Sequence, residues 1–130
     1  MARLDHIELP VRDWRASRDW WRDHLGFEVE FEDADQRMAA VRDSADLTVF
    51  LCQDEAVVIP PRFSLSIQVD DVDGPHQVLT GTGLEFVHPP AKVFWGYGAE
   101  LLDPDGYRLR LWDPASMQAK GQDATEAAGD

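Results

Sequence analysis

Polar and apolar residues alternate from Leu4 to Val11, with Ile7, Leu9 and Val11 on one side and His6 and Glu8 on the other. A period of two marks a strand with one buried face. The period then lengthens: Trp14, Ser17, Trp21 and Leu25 recur at helical spacing, with Trp20 beside them. Asp13 can cap this helix, and Gly26 can end it, which predicts a helix over Trp14–Leu25. Arg15, Arg18, Asp19, Arg22 and Asp23 form its wetted side. Alternation returns over Phe27–Glu32, where Phe27, Val29 and Phe31 share a face, then over Arg37–Val41 and Leu47–Cys52.

Gln53–Arg62, with Pro60-Pro61, reads as a linker, and after it the order begins again. Phe63–Val69 is a strand, with Leu65, Ile67 and Val69 opposite Ser64, Ser66 and Gln68. A helix is expected around Pro75–Leu79, ended by Gly81-Thr82-Gly83, then a strand over Leu84–Val87 and a loop over His88–Tyr97. Ala99–Leu102 and Tyr107–Trp112 flank Asp103-Pro104-Asp105-Gly106, a tight turn in which Pro pre-sets φ and Gly tolerates positive φ. In that hairpin Leu109 and Leu111 point one way, and Arg108, Arg110 and Trp112 the other.

The two halves therefore repeat strand–helix–strand–strand–strand. This predicts an α+β fold of two βαβββ modules, 1–56 and 57–115, pairing into curved mixed sheets around a concave cup. Residues 116–130 are small and polar and are expected to form a flexible tail. The polar face of the cup would carry His6, Glu8, Thr48, Phe50, Cys52, Ser64, Ser66, Gln68, Arg110 and Trp112.

Composition narrows the function. Against 12 basic residues stand 25 acidic ones, giving a net charge of −13 over 130 residues. That balance excludes a nucleic-acid surface, which needs clustered positive charge, and favours a cationic ligand. Cys52 is the lone cysteine, so no internal disulfide forms. No run is apolar enough to span a bilayer, and Met1–Asp5 has no apolar leader core. The expected location is the cytoplasm, without membrane contact.

Leu4-Asp5-His6-Ile7, Trp20-Trp21-Arg22-Asp23-His24-Leu25-Gly26-Phe27, Val69-Asp70-Asp71-Val72-Asp73, Gly83-Leu84-Glu85, Trp95-Gly96 and Asp103-Pro104-Asp105-Gly106-Tyr107 lie across residues 3–113. Together they resemble the vicinal-oxygen-chelate superfamily of glyoxalase I, extradiol dioxygenases and bleomycin-resistance proteins. In its glyoxalase-like enzymes a metal takes one ligand from the first and last strand of each module. Carried over, those positions are His6, Phe50, Ser64 and Arg110. Only His6 suits a metal: a phenyl ring cannot coordinate, a guanidinium is a fixed cation, and a hydroxyl is a poor ligand.

The remainder is similar to the metal-free, bleomycin-resistance-type branch, as Val41-Arg42-Asp43 also is. That resemblance implies a homodimer without cofactor that sequesters an aromatic or cationic antibiotic or related natural product. Phe50, Trp95 and Trp112 would stack on it, with Phe94 and Tyr97 on a closing loop. His6, Glu8, Ser64, Gln68 and Arg110 would orient its polar groups. Arg110 could meet a ligand carboxylate or carbonyl, or pair with Glu8 across the cup. Cys52 reads as inert, His24 and His76 as surface residues, and His88 as a rim residue. The alternative is an isomerase, lyase or dioxygenase of the same superfamily built on His6, with or without a divalent metal.

Overall fold

The computed structural model describes residues 1–121 and divides into two compact units at Pro60/Pro61. The first unit comprises β1 (His6–Val11), α1 (Trp14–Leu25), β2 (Glu28–Asp33), β3 (Met38–Arg42) and β4 (Thr48–Gln53). Its sheet runs β1-β4-β3-β2, with β1 parallel to β4 and the other pairs antiparallel. α1 starts where Asp13 accepts hydrogen bonds from the Arg15 and Ala16 N–H groups, each at 3.1 Å. It ends at Gly26, whose φ of 71° is left-handed and whose N–H reaches Arg22 O at 3.1 Å. Trp14, Ser17 and Trp21 are buried with Leu9, Val11, Ala39, Val41, Val49 and Leu51. These sheet residues share one face, so α1 covers it and leaves the opposite face for chemistry.

One parity expectation fails. A bulge separates Val29 from Phe31: Val29 pairs with Val41, whereas Phe31 pairs with the adjacent Ala40. The extra residue, Glu30, reverses the side to which Phe31 points. Phe31 leaves the helix-covered face of Val29 and stands beside Phe50, ring centroids 5.8 Å apart.

The second unit repeats the plan with β5 (Ser64–Gln68), α2 (Asp73–Gly81), β6 (Phe86–Val93), β7 (Gly96–Leu102) and β8 (Arg108–Trp112), in sheet order β5-β8-β7-β6. β5 is parallel to β8, and β7 is antiparallel to both its neighbours. Ala99, Leu101, Leu109 and Leu111 form the buried face. In the turn before β8, Asp103 Oδ1 accepts from the N–H groups of Asp105 (3.0 Å) and Tyr107 (2.8 Å), and Gly106 takes φ 97°.

The loop expected over His88–Tyr97 is instead the β6–β7 hairpin, turning at Phe94-Trp95. Pro89 and Pro90 are accommodated because β6 is an edge strand whose register shifts twice around them. Beyond β8 lie a helical turn, α3 (Pro114–Ser116), and a π turn over Met117–Gly121. The expected tail begins within this segment, and its residues 122–130 lie outside the described residues. Met117 holds this segment: its Sδ accepts from Tyr97 N–H at 3.4 Å and fills the space where Gly96 and Gly121 lack a Cβ. Among the described residues, no helix is long and apolar enough to cross a membrane.

Candidate functional site

On the face of the first sheet opposite α1, neighbouring strands align in rows. His6 lies beside Thr48 and Arg42, and Glu8 beside Phe50, Ala40 and Phe31. Ala40 has no bulk, so the rings of Phe50 and Phe31 meet edge to face over it, and Ala40 is fully buried. Beside them lies an open hollow of about 390 Å³. His6, Phe31 and Phe50 are among the residues that line it, with the His6 ring 4.4 Å from that of Phe50. Carboxylates from Asp5, Glu30 and Asp46 line it, together with Thr48 and Arg42.

The polar groups around the hollow constrain one another. Thr48 donates to Glu30 at 2.9 Å, and Arg42 to Glu28 at 2.9 Å. His6 Nδ1 lies 3.0 Å from Asp5, whose carboxyl is held below its ordinary range mainly by that hydrogen bond. Asp46 is placed by its own turn: it takes φ 68°, and Asp43 Oδ1 accepts from the N–H groups of Ala45 and Leu47. With Arg42 already matched by Glu28, the hollow carries surplus negative charge. Cys52 shares this face two residues beyond Phe50, paired across to Met38 and Pro10. Burial, and then the charge of Glu8, push its thiol pKa up, so it stays protonated and a weak nucleophile.

The polar face of the second sheet is different. Ser64, Ser66 and Gln68 lie beside Arg108, Arg110 and Trp112, residue for residue. Arg110 is matched on its other side by Glu100. Its Nε donates to Glu100 Oε1 at 3.0 Å, and its guanidinium sits 5.2 Å from the Phe94 ring and 5.4 Å from Trp95. This carboxylate on the adjacent strand satisfies the arginine within its own module. Trp95 also lies over Gly98, where a Cβ would strike the indole and the Leu111 carbonyl. Tyr97 does not join this face. It alternates with Gly98 and Glu100, and its ring is covered by Lys120 at 4.6 Å.

Several of these residues escaped the sequence reading. Phe31 and Glu30 were hidden by the bulge, and Asp46 and Asp5 flank strands without taking part in their alternation. Glu100 had a readable signal, an acidic residue in an otherwise apolar strand. The donor set does not suit the metal that the resemblance implies for glyoxalase-like enzymes. Phe50 and Arg110 occupy two of its positions, and among the described residues no group of three His, Cys, Asp or Glu side chains is placed to hold a metal ion.

Comparison with known proteins gives one consistent result. Residues 3–111 match the family described as Glyoxalase/Bleomycin resistance protein/Dioxygenase superfamily. A possible glyoxalase from Bacillus cereus superposes with a TM-score of 0.75 at 21% identity, covering 85% of this chain and 98% of the other. A member of the same superfamily from Sphaerobacter thermophilus gives 0.73 at 26% identity, covering 87% and 98%. TnmS3, an antibiotic binding protein from Streptomyces sp. CB03234, gives 0.72 at 24% identity, covering 88% and 97%.

Proposed function

Since this chain belongs to the Glyoxalase/Bleomycin resistance protein/Dioxygenase superfamily, we propose that it is a metal-independent binding protein that sequesters a small aromatic cation of antibiotic or related natural-product type. The observation that carries this reading is the hollow of the first module. Phe50, Phe31 and His6 offer ring surfaces, and Asp5, Glu30 and Asp46 supply negative charge around them. Ring stacking and charge complementarity together hold a flat cation without acid–base chemistry. The fold shared with an antibiotic-binding protein is consistent with this, although at 24% identity it speaks for architecture alone. Homodimerisation belongs to the same proposal, and light scattering should return twice the monomer mass.

The test is calorimetric titration with proflavine, a planar aromatic cation. Saturable binding is expected, about tenfold weaker in Phe50→Ala from the loss of one stacking partner. Glu30→Gln should also weaken it, and raised salt should do so for both proteins. Heat changes without saturation would sink the reading. A second reading is favoured by the His6–Asp5 pair at the hollow, where Asp5 orients an imidazole that could act as a base. Under that alternative, His6→Ala would abolish turnover while Phe50→Ala mainly raised KM. Under the proposed one, His6→Ala changes proflavine affinity only modestly.

A further inference from the structure

The polar face of the second sheet has an imbalance that its own residues leave open. Two guanidiniums, Arg108 and Arg110, converge on the single carboxylate of Glu100. Arg110 and Glu100 are largely enclosed, with side chains 16% and 10% exposed, and make a well-formed hydrogen bond at 3.0 Å. Arg108 is the odd member. Its Nε lies 3.3 Å from Glu100 Oε2, close enough for charge attraction, yet that buried N–H makes no hydrogen bond. The rest of the side chain is open, at 42% exposure. That Nε faces Glu100 and is closed to solvent, whereas the two Nη groups on the open part of the side chain have no partner among the described residues and are the donors left for an incoming acceptor. Beside Arg108, on the neighbouring strand and the same face, stands the hydroxyl of Ser64.

We propose that this face binds the oxyanion of a small ligand, a carboxylate or a phosphate, on Arg108, with Ser64 as a second donor and the Arg110–Glu100 pair as a fixed charged floor. A guanidinium presents parallel N–H groups that match two oxygens of such an anion, and the second arginine leaves a net positive charge on the cluster. In a chain of net charge −13, that local inversion of sign selects an anion that the rest of the surface repels. Anion binding here does not rest on what the acidic hollow of the first module holds.

The experiment is calorimetric titration at low salt with benzoate and, separately, inorganic phosphate, on the full chain and three variants. At least one anion should saturate at one site per chain, and which one does so names its source. Arg108→Gln should weaken that binding about tenfold or more, the loss expected for hydrogen bonds to a charged group. Arg108→Lys, which keeps the charge without the fork, should weaken it by a smaller factor, and serves as the test should the glutamine variant fail to fold. Arg22→Gln removes an equal charge from the exposed side of α1 and should leave the affinity within about twofold. Failure of both anions to saturate would overturn the proposal. Equal weakening in Arg108→Gln and Arg22→Gln would also overturn it, by assigning the binding to diffuse charge.

Discussion

Glu100 shows how one side chain sets the character of a face. It is buried among apolar strand neighbours and tolerated there because Arg110 bonds to it and Arg108 adds a second positive charge. Replacing it by alanine leaves the enclosed Arg110 guanidinium without its carboxylate. Loss of about 3 kcal/mol is expected on general grounds, measurable as a lower urea midpoint with an unchanged slope. Cys52 illustrates the opposite case. Burial and Glu8 raise its pKa, so the thiolate fraction at pH 8 is small. Its reaction with a disulfide reagent at that pH should be slower than that of a free thiol, and accelerate once the protein is unfolded in urea.

Among elements, the junction after β8 concentrates the clearest energetic consequences. Asp113 is buried and caps α3 through Ser116 N–H at 2.7 Å, while its other oxygen accepts from Val72 N–H at 2.9 Å. It thereby ties the end of β8 to the start of α2. Burial works against ionisation, but the N–H groups of Ser116, Val72 and Ala115 prevail and hold the pKa below its ordinary value of 3.8. A depressed folded-state pKa stabilises the fold fully above that value, and the contribution fades as the pH falls through the lower folded-state pKa. Asp113→Ala should cost about 2 kcal/mol at pH 7, from a lost cap and an orphaned buried N–H. The difference from wild type should shrink in chemical denaturation below pH 3.8. Gly98→Ala tests the neighbouring strand: a Cβ there meets the Leu111 carbonyl and the Trp95 indole, so both stability and Trp95 fluorescence should change.

At the scale of the whole molecule, a net charge of −13 means that folding gathers like charges. Added sodium chloride should therefore raise the melting temperature before any ion-specific effect, read by calorimetry at constant pH. Much of the architecture was legible in the chain itself because it rests on local periodicity. The extent of α1, its Asp13 and Gly26 ends, the Asp103–Gly106 turn and the doubled βαβββ order all follow from near neighbours in sequence. The alternation of His6 with Ile7, or of Arg110 with Leu111, likewise assigns faces without knowledge of a partner strand. Where pairing decides, the sequence alone falls short. A bulge at Glu30 moved Phe31 to the other face, an edge position let β6 run through Pro89-Pro90, and Glu100 supplied the carboxylate that Arg110 needed. Each depends on which residue of the neighbouring strand lies opposite, a choice made by register and bulges as each hairpin closes and not by alternation within one strand.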